Sequence, residues 1–300
     1  FSGKLAAIRP DRLKGDKHES AAPDWGVPVN QVFASGPSVG LSNVRFSVAR
    51  QLEWLAQQQP AYLLSMPSNL RLLMRRARER GVKLDCLREV RSFGEVVTPE
   101  LRAEVRATWG VKLVDSYSAT EVGTMASQCP EHDVYHALAE TMLLEVLDAD
   151  GHPCTPGQTG RVVVTPLHNF ALPLIRYQIN DYAEVGEPCA CGRGLPVLKR
   201  IAGRTRNLLV TADGNRYWPS FPASNWMHIG GIRQIQMIQT HVDRIQVLLV
   251  AAPLSADKEA ELTQALHQSL PTEFQLDFEY LDAIPQQANG KYEDFITRIA

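Results

Sequence analysis

The chain has 300 residues, 44% of them hydrophobic and 21% charged, with a formal net charge of -2 and five cysteines. That balance carries no basic footprint for nucleic acid, no apolar run near the ~18 residues of a membrane-spanning helix, and no even-numbered cysteine framework of a small secreted domain. It suits a soluble cytoplasmic protein with one large core and a smaller second one.

Residues 1–30 are polar and punctuated by Gly and Pro, which reads as a surface segment. VNQVFAS (29–35) then predicts a strand, GPSVGLS (36–42) a turn, and NVRFSVARQLEWLAQQ (43–58) a helix with apolar residues at helical spacing. A strand (AYLLSM), a Pro-Ser-Asn helix start, a basic amphipathic helix (RLLMRRARER), a strand (LREVRSFG) and a helix (PELRAEVRATWG) follow. Strand alternating with helix predicts an α/β fold on a parallel sheet. After Cys129 the pattern becomes strands separated by Asp-Gly and Pro-Gly turns, the signature of an antiparallel β unit. From about Thr205 a hairpin (LLVTADGNRYW), two strands (RIQVLLVAA, FQLDFEYL) and a helix between them predict a small α+β domain. The expected division is 1–204, with an α/β part to about 128 and a β-rich part from 129, followed by 205–300.

Several short stretches offer chemistry. VKLV runs into DSYSATEVG (115–123), an apolar strand ending in hydroxyls, a tyrosine and a carboxylate. Strand ends are where open α/β folds hold ligands, although Ser and Thr also serve ordinary turns. Gly94 and Glu95 stand where LREVRSFG runs out, Asp181 follows a predicted strand, Gly203-Arg204 lies at the expected domain boundary, and Lys291 sits in a glycine turn. CPEHDVYH (129–136) and CAC (189–191) supply three Cys and two His in two clusters. Thiolate with imidazole favours zinc, and four such ligands make a closed structural site. The expected ligands are Cys129, His136, Cys189 and Cys191, with His132 as the alternate.

In this order and at these separations the stretches resemble the core motifs of the adenylate-forming (AMP-binding) enzymes, and within them the phenylacetate-CoA ligase-like branch. The resemblance runs from FASGPSVGLS to GKYEDF and is most specific over TGRVVVTPLHNFALPLIRYQINDYAEVG and PCACGRGLPVLKRIAGR. It implies ATP-dependent activation of a carboxylic acid, aromatic or otherwise hydrophobic, to an acyl-adenylate and transfer to coenzyme A. Implied partners are therefore the acid, ATP and coenzyme A, without nucleic acid or membrane, and a homodimer is compatible with the branch. Gly94, Glu95, Ser116 and Ser118 would line the nucleotide, with Tyr117 against the adenine. Thr120 would bond the phosphate, Glu121 would hold Mg2+, Asp181 the ribose hydroxyls and Arg204 the nucleotide, while Lys291 would serve adenylation.

Three departures stand out. Asn180 replaces the usual glycine before the ribose aspartate, and Arg206-Asn207 replaces the usual acidic pair after Gly-Arg. The family's Ser/Thr/Gly-rich phosphate loop has no counterpart, so an N-terminally truncated member is expected. A nucleotide-binding or partner-binding remnant without turnover is the rival reading.

Overall fold

The computed structural model describes residues 1–10, 18–27, 29–217, 219, 221, 223–284 and 293–299. Two compact units divide it, the first formed by Phe1–Ile179 and Ala183–Ile201, the second by Asn180–Tyr182 and the described residues from Ala202 onward. The chain passes from the first unit to the second at 201/202.

The first unit opens with β1 (Leu5–Arg9), β2 (Glu19–Ala22), α1 (Val29–Val32), β3 (Ser38–Ser42), α2 (Val48–Gln58) and β4 (Tyr62–Ser65). It continues with α3 (Pro67–Arg80), β5 (Glu89–Phe93), α4 (Pro99–Trp109) and β6 (Lys112–Ala119). Strands β3, β1, β4, β5 and β6 pair in parallel in that order, with β2 antiparallel on the outer edge. The antiparallel part comprises β7 (Gly123–Gln128), β8 (Tyr135–Ala137), β9 (Met142–Leu147), β10 (Thr159–Pro166), β11 (Tyr177–Val185) and β12 (Val197–Arg204). It continues the same twelve-stranded sheet in the order β6, β7, β8, β12, β11, β10, β9.

Local chemistry sets the helix ends. Ser47 and Thr98 accept backbone N–H bonds from Arg50 and Leu101 at the starts of α2 and α4. Pro67 and Pro99 occupy first-turn positions, where the missing N–H costs nothing, and Gly81 and Gly110 close α3 and α4 in left-handed conformation. The apolar faces of these helices meet alternate strand residues Ala6, Ile8, Leu63, Val90 and Leu113 in one core, and the antiparallel strands close a second around Met125, Val162 and Val164.

Two expectations in the first unit are corrected. VNQVFAS is not a strand: Val29–Val32 is a single helical turn with no buried residue, set by Asp24 Oδ1 accepting from the Gly26 N–H at 2.7 Å. GPSVGLS is not a turn but contains β3, where Gly40 passes so close to β2 that a Cβ would lie 2.5 Å from Ser20 Oγ. The opening segment, read as a surface segment, also supplies β1 between β3 and β4.

The second unit has a 3-10 turn (Thr205–Asn207), β13 (Leu209–Val210), β14 (Arg216–Tyr217), α5 (Ala223–Trp226), β15 (Gln234–His241), β16 (Arg244–Val250), α6 (Ala256–His267), β17 (Gln275–Tyr280) and β18 (Phe295–Thr297). β13 and β14 form the expected hairpin, and β17, β16, β15 and β18 form a four-stranded sheet with α6 packed on it through Leu262 and Leu266.

Candidate functional site

The DSYSATEVG stretch is mostly strand. β6 runs to Ala119, a bulge falls between Tyr117 and Ser118, and the chain reverses in a short turn at Thr120-Glu121-Val122 before β7. Period-2 alternation puts Leu113, Asp115 and Tyr117 on the buried face and Ser116 and Ser118 on the other, while Thr120 and Glu121 are exposed beyond the strand end. Tyr117, expected against adenine, is 7% exposed and packs with Met125 and Tyr135 in the second core.

Glu95 has a local employer. Its Oε2 accepts from the Ser68 backbone N–H at 2.7 Å and its Oε1 from the Ser68 hydroxyl at 2.9 Å, so the carboxylate caps the N-terminus of α3. Gly94 turns at φ 80° to bring it there. Ser68 was not singled out from sequence, although its place one residue inside a Pro-started helix is the signal that marks an orphan N–H.

Asp181 lies within β11 rather than after it, one residue beyond Asn180 at φ 64°. Asparagine is among the few side chains that tolerate this left-handed region, so it can stand where the resemblance implies glycine. Asp181 Oδ1 accepts from Arg204 Nε at 3.1 Å, which joins the two residues expected at ribose and hinge. Arg206, out of pattern with the family, pairs with Glu293, and Asn207 donates to the Phe295 carbonyl at 2.7 Å. Lys291 lies outside the described residues.

The cysteine and histidine residues converge. One donor atom from each of Cys129, His136, Cys189 and Cys191 lies within 4.8 Å of the others. Cys129 and Cys189 sulfurs are 3.8 Å apart, and Cys191 Sγ is 3.3 Å from His136 Nε2. His132 Nδ1 is 3.4 Å from Cys189 Sγ and 3.8 Å from Cys129 Sγ, which keeps it beside the same centre. Tetrahedral zinc with bonds of about 2.0–2.3 Å spaces its ligands about 3.5–3.8 Å apart, so the donor set fits that ion. Burial alone would raise the Cys129 thiol, but the backbone N–H groups of Glu131 and His132 and the His132 ring hold it at about 5. The Arg193 backbone N–H likewise lowers Cys191. Among the described residues, His136 Nδ1 is buried without a hydrogen-bond partner.

Beside this cluster lies a buried polar network that sequence reading missed. Asp115 accepts from Ser92 Oγ at 2.6 Å and from the Tyr135 hydroxyl at 2.7 Å, and its backbone N–H donates to Gln128 Oε1 at 3.0 Å. Arg102 on α4 donates to Gln128 Oε1 at 2.5 Å and to the Tyr135 oxygen at 3.2 Å. Burial pushes the Asp115 carboxyl upward against the pull of these donors, and burial together with the Asp115 charge raises the Tyr135 phenol.

Residues 24–170 match the family model described as AMP-binding enzyme, and residues 209–298 match the CapK C-terminal domain. The phenylacetate-coenzyme A ligase of Thermus thermophilus is 31% identical over 175 residues, covering 56% of this chain and 39% of that protein. The ligase of the same name from Pseudomonas putida is 26% identical over 202 residues, covering 65% and 45%. The chain therefore spans about two fifths of the length of these curated relatives. Among solved structures, a 2-hydroxyisobutyryl-CoA ligase in complex with 2-HIB-AMP has a TM-score of 0.70 at 21% identity, over 86% of this chain and 58% of that one. An anthranilate CoA ligase in complex with anthranoyl-AMP has a TM-score of 0.64 at 16% identity, over 84% and 51%. At these identities the likeness is one of fold.

Proposed function

We propose, on the match of residues 24–170 to the AMP-binding enzyme family model, that the chain serves the ATP-dependent activation of a carboxylic acid to an acyl-adenylate and its transfer to coenzyme A. The observation that carries this reading is the end of β6, where Ser116 and Ser118 lie on the less buried face and Thr120 and Glu121 stand exposed beyond the strand. Attack of a carboxylate on the α-phosphorus builds negative charge on the phosphate oxygens, and a hydroxyl donor beside a carboxylate-held cation stabilises it. Thr120 supplies the hydroxyl. Glu121 would hold Mg2+, whose charge would turn a repulsive carboxylate into an attractive site.

Asp181 is the proposed ribose ligand, an acceptor-only group suited to two hydroxyls, with Arg204 steering its carboxylate. The substrate is an aromatic acid of the phenylacetate class, a reading supported by the names of the curated relatives. The solved neighbours handle 2-hydroxyisobutyryl and anthranoyl groups, which keeps the acid itself a matter for assay. Zinc held by Cys129, His136, Cys189 and Cys191 would be structural, since four protein ligands leave no position for substrate.

Calorimetric titration of AMP tests the nucleotide reading. Binding is expected, and Asp181→Ala should weaken it by about 1.5–3 kcal/mol, the cost of hydrogen bonds to a charged acceptor. Equal affinities would remove Asp181 from the ribose role, and no AMP binding by the wild type would overturn the proposal. Pyrophosphate exchange across aryl and aliphatic acids then reads turnover and substrate class. AMP binding without exchange for any acid would leave a nucleotide-binding protein rather than a ligase.

A further inference from the structure

The Cys/His cluster and the nucleotide strand share one set of buried hydrogen bonds. Cys129 follows Gln128, and His136 follows Tyr135, so each ligand's chain neighbour is also a partner of Asp115. Lys112, at the start of β6, donates to the carbonyls of Cys129 at 3.3 Å and Pro130 at 2.6 Å. Gln128 Nε2 donates to Asp133 Oδ1 at 3.0 Å, fixing the far side of the loop that carries His132. β6 is thus held by the cluster's own loop at its first residue and again at Asp115, which is 4% exposed. Ser116 to Glu121 begin at the next residue. Backbone rise of about 3.4 Å per residue puts Tyr117 and Ser118 only about 7–10 Å along the strand from the Asp115 anchor.

We propose that the metal cluster is a positioning device for the nucleotide strand, in which Gln128 and Tyr135 carry its geometry to Asp115 and so to the residues that follow. Asp115 and Tyr135 are positioning residues. Neither side chain is asked to touch the nucleotide. The carboxylate and phenol are buried on the face opposite Ser116 and Ser118, and their work is to hold one register of a strand whose far end lies in a short, exposed turn. A cluster that opens lets Cys129 and His136 separate, which pulls on the β7 and β8 backbone at the residues adjoining Gln128 and Tyr135. Packed hydrogen-bonded groups of this kind have discrete arrangements rather than a continuous range, so a local change at the ligands has a definite readout at the strand. This inference rests on the zinc and nucleotide readings above.

The test is AMP affinity measured by calorimetry on four samples: wild type and Tyr135→Phe, each zinc-loaded and chelator-stripped, with zinc content read by elemental analysis. Stripping the wild type should weaken AMP binding about tenfold, and zinc re-addition should restore it. Tyr135→Phe should keep one zinc per chain yet weaken AMP several-fold, and stripping it should then add little, because both changes cut the same connection. Amide hydrogen exchange at Ser116–Ala119 supplies a readout independent of nucleotide and should quicken in the stripped and Tyr135→Phe proteins alike. If stripping unfolds the chain, the loaded Tyr135→Phe protein still decides, since unchanged AMP affinity and unchanged exchange there overturn the proposal. Losses that simply multiply across the four samples overturn it as well. A wild type that binds AMP but no zinc removes the zinc premise, and one that binds zinc but no AMP removes the nucleotide premise, so each failure is separately visible.

Discussion

Asn180 holds φ 64° in mid-strand, and that torsion is what sets Asp181 on the Arg204 guanidinium. A β-branched side chain pays about 1–2 kcal/mol to enter this region, whereas glycine enters freely. Asn180→Val should therefore lower stability by about that amount in urea denaturation, with Asn180→Gly close to wild type. Equal losses for both would mean that the asparagine amide, not the torsion, matters. Glu95 makes the opposite point: a residue the motif assigned to nucleotide spends both carboxylate oxygens on Ser68. Glu95→Ala should cost about 1 kcal/mol of stability through the lost helix cap and leave AMP affinity unchanged. A large loss of AMP binding would return Glu95 to the nucleotide. The cysteine and histidine group was legible because its chemistry names itself. Glu95 was not, since Ser68 lies 27 positions away and no local pattern announces a cap made from the end of a neighbouring strand.

Among the elements, those with strong periodicity and good caps were legible: α2, α3 and α4 with their Ser, Pro and Gly signals, and the strands β4, β5 and β16 with their apolar runs. The misread region from Val29 to Ser42 shows why others were not. Four apolar residues in seven read as strand, yet Val29–Val32 form one helical turn in which none is buried. Gly36 and Pro37 read as a loop, yet the strand that follows gains its stability from pairing with β1, a distant partner that no window of sequence contains. Small residues at tight pairings carry the same lesson. A Cβ on Gly160 in β10 would lie 2.4 Å from the Leu147 carbonyl oxygen and 2.6 Å from Cys154 Sγ. Because a backbone atom is the obstacle, Gly160→Ala should force β9 and β10 apart and destabilise by about 1–3 kcal/mol. Thermal melting of the variant checks this, and an unchanged midpoint would show that the strands yield without cost.

At the scale of the whole molecule, each of the two units has hydrophobic cores of its own. Leu63 and Val90 lie in the core beneath the parallel strands, while Met237, Val247, Leu249 and Leu262 lie in the core of the second unit. The core of the second unit is closed from within: β15 pairs in parallel with β18 at Met237–Phe295, and Arg206 and Asn207 tie the unit's first turn to the residues around its last strand. A unit with its own sheet, helix and closing contacts has what independent cooperative unfolding requires, so a single two-state transition is not expected for the chain. Scanning calorimetry should resolve two transitions. Leu249→Ala, removing a side chain 0% exposed in the second unit, should lower only one of them, by about 2–5 kcal/mol of that unit's stability. Leu63→Ala, equally buried in the first unit, should lower the other by a similar amount. Adding AMP and zinc gives the assignment an independent handle, because a ligand raises the stability of the unit whose folded form binds it. Zinc should lift the transition that Leu63→Ala lowers, since every proposed ligand from Cys129 to Cys191 belongs to the first unit. One transition that moves equally with both leucine variants and with zinc would show that the two units unfold as one.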